Sequence, residues 1–167
     1  MRDWNARFRG ILDGLLEDPS TSVRRTAFLV LWKRRGPAAL ERTLRIFFEQ
    51  DGDPRDLAAT YLLRHRGWIR PRILEAMESP SPDRRQRAVE ILHSLDGLPA
   101  LLTAARDADC EIRRWSIPRL LSQEGVQAAA AAEALASDPD DSVRFDALRA
   151  LVRRGRLDRI DDLAKFL

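Results

Sequence analysis

The sequence predicts an all-α protein, folded as a right-handed α-α superhelix in which five helical hairpins follow one N-terminal helix. The first of three observations behind this prediction is a repeat. The pattern of apolar, basic and glycine residues in 23–36 returns in copies that begin at Pro54, Arg84, Ile112 and Val143. A spacing of 28 to 31 residues is typical of repeats that stack side by side.

The second observation is a glycine near the middle of each copy. It stands 13 residues after the start of the first four copies and 12 after the start of the fifth, as Gly36, Gly67, Gly97, Gly125 and Gly155. Glycine is the usual residue at a left-handed helix end. Each copy is therefore predicted to be a first helix, a turn at the glycine and a second helix, which together form one repeat unit.

The third observation is a set of shared apolar positions. The residue four places after the start of a unit is small, and those five and eight places after it are apolar. The small residues are Ala27, Ala58, Ala88, Ser116 and Ala147, and the apolar ones are Phe28, Ala59, Val89, Ile117 and Leu148 with Leu31, Leu62, Leu92, Leu120 and Leu151. This spacing predicts first helices that are buried on a broad face.

The predicted elements follow in order along a single domain, residues 1–167. Residues 4–17 have apolar side chains at helical spacing and form the N-terminal helix. The five units extend over about 20–50, 54–78, 83–106, 110–136 and 141–167. Pro118 falls inside the first helix of the fourth unit, where a proline predicts a kink.

Composition predicts a cytoplasmic protein with no membrane partner. The chain has 44% hydrophobic and 33% charged residues, which is typical of a folded domain. Its single cysteine, Cys110, excludes an intrachain disulfide. The first ten residues contain no apolar run of the kind found in export signals. No stretch reaches the roughly 20 apolar residues that cross a bilayer.

The start of the units carries a family resemblance. Residues 18–24 and 138–144 read Asp-Pro-x-x-x-Val-Arg, and residues 107–113 match this motif in part. On these residues the units resemble HEAT repeats, in particular the short bacterial type of about 30 residues found in phycobilin-lyase-like proteins. The resemblance covers nearly the whole chain and implies the α-α superhelix.

The resemblance also implies a role for the arginine of this motif, which recurs in every unit. In HEAT repeats it stabilises the turn between units by contacting the aspartate or a neighbouring carbonyl. Glu49 and Ser79 replace that aspartate in the second and third units. The five arginines, here called the arginine ladder, are Arg24, Arg55, Arg85, Arg113 and Arg144.

Second helices commonly line the concave face of a HEAT superhelix, and those of the first two units are basic. Arg42, Arg45, Arg70 and Arg72 are therefore candidate partner-binding residues, with Glu41, Glu49, Glu75 and Glu78 interspersed. Such a surface suits an acidic protein segment or a nucleic-acid backbone. Residues 1–90 have a net charge of +5 and residues 91–167 of −2, which places the basic charge in the N-terminal half.

Two tryptophans are further candidates for contact with a partner. Trp115 shares its position in the unit with Thr26 and Asp146, a mixture that predicts a partly exposed side chain and a possible anchor. Trp68 follows Gly67 and is either exposed or packed over the turn, and of these two alternatives packing over the turn is the expected one.

The sequence favours a non-catalytic role without metal or cofactor. His65 and His93 lie in different units without a ligand pattern around them, and the chain has no phosphate-binding glycine loop, nucleophile elbow or paired acid motif. The predicted function is a protein-interaction scaffold that binds an acidic or amphipathic segment of another protein on its concave face. The alternatives are nucleic-acid binding, similar to HEAT-like alkylpurine DNA glycosylases, and an enzyme subunit similar to bilin lyases.

Overall fold

The computed structural model describes residues 2–33 and 37–166, and every regular element in these ranges is a helix. The prediction of an all-α protein is confirmed. The helices are α1 (Arg2–Leu16), α2 (Thr21–Lys33), α3 (Pro37–Glu49), α4 (Asp53–Leu63), α5 (Arg66–Met77), α6 (Pro82–Asp96), α7 (Leu98–Ala104), α8 (Cys110–Ser122), α9 (Val126–Leu135), α10 (Asp141–Arg153) and α11 (Ile160–Ala164).

The chain divides into two compact bodies, Met1–Arg72 and Ile73–Leu167, with the boundary inside α5. In the N-terminal body α1 packs on α2, and both α2 and α3 pack on α4. In the C-terminal body α6 packs on α7, α7 on α8, α8 on α9 and α10, and α10 on α9 and α11. Neighbouring helices are thus packed in each body, whereas the single domain over 1–167 and its superhelical course stay predictions.

Side chains cap the start of three helices in the C-terminal body. Asp109 Oδ1 accepts hydrogen bonds from the N–H groups of Glu111 (2.9 Å) and Ile112 (3.3 Å) at the start of α8. Asp140 Oδ1 does the same for α10, and Ser81 Oγ accepts from the Arg84 N–H of α6. These bonds satisfy backbone donors that the helix itself leaves unpaired.

The turn glycines agree with the predicted hairpins at three places and differ at one. Gly97, Gly125 and Gly155 have φ values of +65°, +116° and +88°, which side chains with a Cβ adopt only under strain. Gly67 lies inside α5, so the turn predicted there is wrong. The His65 carbonyl already accepts from the N–H groups of Trp68 and Ile69, and the next helix begins before the glycine. Gly36 lies outside the described residues.

The apolar positions shared by the units form the core, as predicted. The residues four, five and eight places after the start of each unit are buried, with the exception of the half-buried Ala59. In the N-terminal body Phe28 stacks on Tyr61 with ring centroids 5.7 Å apart. In the C-terminal body Ile117 and Leu120 of α8 pack in one cluster with Ala128, Ala132 and Leu135 of α9 and with Val143 and Ala147 of α10.

Two details differ from simple repetition. Helix α8 continues through Pro118 from Cys110 to Ser122, and the Trp115 carbonyl accepts a hydrogen bond from Arg119 Nη1 at 2.8 Å. The last unit was expected to end in a helix over 157–167. It instead has a 3-10 turn, Leu157–Arg159, before the short α11, and Arg156 pairs with both carboxylate oxygens of Asp158 at this turn.

Within the described ranges, none of the helices has the length and apolar character needed to span a membrane.

Truncation of a core residue tests this packing. We expect Leu120→Ala to lower the free energy of unfolding by about 2 to 5 kcal/mol, because it leaves a cavity between three helices. The matched control Leu157→Ala removes an exposed leucine and should change stability by less than about 0.5 kcal/mol. Urea denaturation followed by circular dichroism measures both. Equal losses in the two variants would contradict the assigned core.

Candidate partner-binding surfaces

The arginine ladder contacts backbone carbonyls in the same way in successive units. In the C-terminal body, Arg113 Nη1 donates to the carbonyls of Asp107 and Ala108, both at 2.9 Å. Arg85 and Arg144 make the equivalent contacts with the carbonyls five and six residues before them. Each guanidinium therefore holds the turn that precedes its own helix.

The other edge of two of these guanidiniums binds the aspartate of the next turn. Arg113 Nε and Nη2 donate to the two carboxylate oxygens of Asp138, each at 2.8 Å. Arg85 binds Asp107 in the same two-pronged manner, with distances of 2.8 and 3.0 Å. Both arginines are only 12–14% exposed. Bidentate contacts of this kind combine charge with a fixed geometry.

The same aspartates shape the turns in which they lie. Asp107 accepts a hydrogen bond from the Asp109 N–H at 2.8 Å, and Asp138 accepts one from the Asp140 N–H at 2.9 Å. Burial by itself raises the pKa of the Asp138 carboxyl. The hydrogen bonds from Arg113 and the Asp140 N–H, with the charges of Arg113 and Arg144, outweigh burial and hold that pKa below its ordinary value of 3.8. The pKa of Asp107 is lowered by an equivalent balance.

The ladder is less regular in the N-terminal body. Arg24 Nη1 donates to the carbonyls of Asp18 and Pro19 at 2.7 and 2.8 Å. Its Nη2 donates to Asp53 at 2.6 Å, although the aligned position in the sequence is Glu49. The guanidinium of Arg55 lies 5.8 Å from the centroid of the Phe47 ring. The recurrent bonds of Arg24, Arg85, Arg113 and Arg144 to the carbonyls of the preceding turn favour the structural interpretation of these arginines.

Two of the four candidate arginines on the second helices are neutralised by acidic residues of neighbouring segments. Arg42 of α3 pairs with Asp13 of α1 (3.1 Å) and with Glu17 directly after α1 (3.8 Å). Arg72 of α5 pairs with Glu41 of α3 at 3.0 Å.

The side chains of Arg45 and Arg70 are exposed. The structure thus places all four arginines on α3 and α5 but leaves this surface with less positive charge than the sequence indicates.

The tryptophans differ in exposure. Trp115 is half-buried against both core clusters of the C-terminal body. The guanidinium of Arg119 lies 3.8 Å above its ring, a cation–π contact that covers part of the indole. Trp68 is 62% exposed, so the expectation that it packs over the turn was wrong.

A groove between α8 and α10, here called the basic groove, is a surface that the sequence analysis missed. It has a volume of about 390 Å³, with Ile117, Pro118, Leu121 and Ala150 among its lining residues. Its other lining residues are Arg114, Arg149, Arg153, Arg154 and Asp146. Asp146, Arg149 and Arg153 recur at helical spacing on one side of α10, which is a signal that the sequence did contain.

One carboxylate compensates part of the charge in the basic groove. Asp146 accepts from Arg114 Nη2 at 2.7 Å and from Arg149 Nη2 at 2.9 Å. Arg153 and Arg154 are exposed, and neither forms a salt bridge with another residue in the part of the chain that the structure describes. The free positive charge of this groove is concentrated at the C-terminal end of α10.

The histidines and the cysteine do not combine into a metal site. Within the described ranges, no group of three or more His, Cys, Asp or Glu side chains has a geometry that could hold a metal ion. Cys110 is a free, half-buried thiol at the start of α8.

Comparison with known proteins adds no relative, since no protein-family model and no curated protein matches the chain.

Removal of a ladder arginine tests its structural role. We expect Arg113→Ala to lower the free energy of unfolding by about 2 to 4 kcal/mol, because it leaves the buried Asp138 carboxylate and two carbonyls without their donor. Arg113→Lys keeps the charge but cannot reproduce the fork and should recover less than half of the loss. Arg106→Ala, at an exposed arginine of the same body, is the control. Unchanged thermal stability of Arg113→Ala would contradict this role.

The lowered pKa values of Asp107 and Asp138 predict a specific loss of stability in acid. A carboxyl whose pKa is lower in the folded than in the unfolded chain stabilises the fold above the unfolded value, and this contribution is lost as the pH falls below about 4. The variant Asp138→Asn should be less stable at pH 7 and lose less stability between about pH 5 and pH 2 than the wild type. Urea titrations at each pH measure this difference, and parallel curves for both proteins would refute the assignment.

Proposed function

We propose that this protein is a non-catalytic interaction module that binds an acidic, amphipathic segment of another protein, and that the basic groove between α8 and α10 is the binding surface. The observation that carries the proposal is the combination of apolar side chains with four arginines in the lining of one groove. The apolar lining accepts apolar side chains of a partner, and the arginines pair with its carboxylates.

Charge complementarity determines which partner fits. Four arginines and one aspartate line the groove, which leaves an excess of positive charge. Because Asp146 already pairs with Arg114 and Arg149, a partner carboxylate is expected at Arg153 and Arg154. An Arg–carboxylate pair at a partly desolvated site is stronger than a fully exposed pair.

The groove is a better match for a peptide than for a nucleic acid. A phosphate backbone is best bound by a continuous row of basic side chains, with aromatic groups for any unpaired bases. The lining of this groove instead includes the apolar side chains of Ile117, Leu121 and Ala150 and the Asp146 carboxylate. The ion pairs of Arg42 and Arg72 also reduce the charge that the second helices can offer to a polyanion.

The proposal moves the binding surface from the second helices to the first helices of the units. It treats the units as HEAT-type repeats, an inference that the repeated contacts of the arginine ladder support. In that arrangement the first helices lie on the convex side, and the second helices with Arg45 and Arg70 form a further candidate surface.

Selection from a random peptide library tests this function. With the whole chain as bait, we expect enriched peptides to combine Asp or Glu with Leu, Ile or Phe at helical spacing. A labelled enriched peptide should bind Arg153→Glu/Arg154→Glu about tenfold more weakly than the wild type, because reversal of two charges turns attraction into repulsion. Fluorescence anisotropy measures the dissociation constants.

The matched control reverses two exposed arginines of the same body outside the groove, Arg84 and Arg106. Arg84→Glu/Arg106→Glu should bind the peptide within about twofold of the wild type. Equal weakening by both double variants would show that only net charge matters and would refute the groove as the site. Tight binding of duplex DNA with a steep salt dependence, lost in either variant, would favour the nucleic-acid alternative.

A further inference from the structure

A second groove lies in the N-terminal body, between α1 and α2. It has a volume of about 400 Å³ and is lined by Phe8, Ile11, Leu12, Leu15, Ser22, Val23, Thr26, Ala27 and Val30. None of these residues is charged, and most are apolar. Ile11 and Leu15 are 57% and 39% exposed, so solvent reaches the apolar wall of α1. This surface is here called the α1–α2 groove.

The equivalent surface of the C-terminal body is covered by a helix. Counted from the starts of their units at Val23 and Val143, Leu12 and Leu15 correspond to Ala132 and Leu135 of α9. Ala27 corresponds in the same way to Ala147 of α10. The C-terminal members of these pairs, with Val143, are buried in one cluster with Ile117 and Leu120 of α8. Helix α8 therefore lies over the surface that corresponds to the α1–α2 groove.

A second example in the same body follows the same rule. Ala104 of α7 corresponds to Leu15, and Ile112 of α8 corresponds to Val23. Both are buried in a cluster with Val89 of α6. In both examples the groove between a second helix and the next first helix is covered by the preceding first helix.

The covering helices share a short pattern. In α6 it is Ala88-Val89 followed by Leu92, and in α8 it is Ser116-Ile117 followed by Leu120. All the side chains in both patterns are buried. The small residue permits a close approach of the helices. Val89 of α6 and both Ile117 and Leu120 of α8 pack in the clusters that fill the two grooves.

We propose that the α1–α2 groove binds one amphipathic helix of a partner protein, which carries this small-apolar-x-x-apolar pattern and occupies the place that α6 and α8 occupy on the equivalent surfaces. The packing of α6 on the α7–α8 groove and of α8 on the α9–α10 groove indicates which kind of helix binds and which of its side chains make the contacts. The groove also offers a larger apolar surface than its counterpart, because Phe8 and Ile11 stand where α9 has Ala128 and Ala131.

The proposal does not depend on the basic groove. The two surfaces lie in different bodies, and the lining of the α1–α2 groove contains no arginine, lysine or acid. A helix bound there is held by burial of apolar area, which salt does not screen. Binding should therefore be insensitive to ionic strength, in contrast to binding at the basic groove.

Two synthetic peptides taken from the chain itself serve as probes. They comprise residues 81–96, which contain α6, and residues 110–122, which form α8, the latter with Cys110→Ser to prevent oxidation. Each is labelled with fluorescein and titrated with the whole protein by anisotropy. We expect at least one peptide to bind with a micromolar dissociation constant that changes less than twofold between about 50 and 500 mM salt.

The variant Ile11→Asp places a charge in the groove at an exposed position, so we expect the protein to fold and the peptide affinity to fall at least tenfold. Leu29→Asp changes an exposed leucine of α2 that does not line the groove, and it should bind as the wild type does. If circular dichroism shows that Ile11→Asp is unfolded, Ile11→Ala replaces it, with an expected loss of about threefold.

Three results would overturn the proposal. One is the absence of binding of both peptides at protein concentrations up to about 1 mM. Another is equal affinity of the wild type and the Ile11 variants, which would place the peptide elsewhere, for example on the surface that its own helix covers within the chain. The third is self-association in sedimentation velocity that Ile11→Asp abolishes, since a second copy would then be the occupant.

Discussion

A first helix in this fold needs two neighbours to bury its apolar side, its own second helix and the first helix of the next unit. The C-terminal body shows this for α8, whose Ile117 and Leu120 lie against both α9 and α10. Ser116, in the small position, is fully buried and lets the helices approach. The shared period of the apolar positions follows from this requirement, because every unit must present the same face to the next one.

The arginine ladder fixes the turns between these helices, and its two kinds of contact respond differently to sequence change. Backbone carbonyls are available whatever the side chain, so Arg85 keeps its bond to the Ser79 carbonyl although serine replaces aspartate. Ser79 Oγ also accepts from the Ser81 N–H at 3.2 Å, which preserves the turn that aspartate forms elsewhere. A serine side chain has no carboxylate to offer an arginine, whereas Asp107 and Asp138 each form a bidentate pair with a ladder arginine.

Periodicity predicted the helices and the core because burial imposes a repeat that can be counted along one chain. The charge on the second helices was harder to predict from the sequence. The salt bridges Arg42–Asp13 and Arg72–Glu41 join residues about 30 positions apart. Nothing in the local sequence indicates which of many acids an arginine will meet. The basic groove was missed for a related reason: Ile117 and Arg153 lie on different helices, and only the packing of α8 on α10 brings them to one surface.

The high arginine content of the chain is therefore a poor measure of its attraction for polyanions. Arginines of the ladder bind carbonyls and aspartates, and Arg119 covers Trp115. Arg42 pairs with an acid of α1, and Arg72 pairs with an acid of α3. The exposed guanidiniums of Arg153 and Arg154 lie beside apolar side chains in the lining of the basic groove. The linings of the uncharged α1–α2 groove and of the basic groove differ, and the partners proposed for them are therefore expected to bind by different forces, burial of apolar area at one and charge complementarity at the other. A single change of salt concentration should separate the two kinds of binding in the same protein.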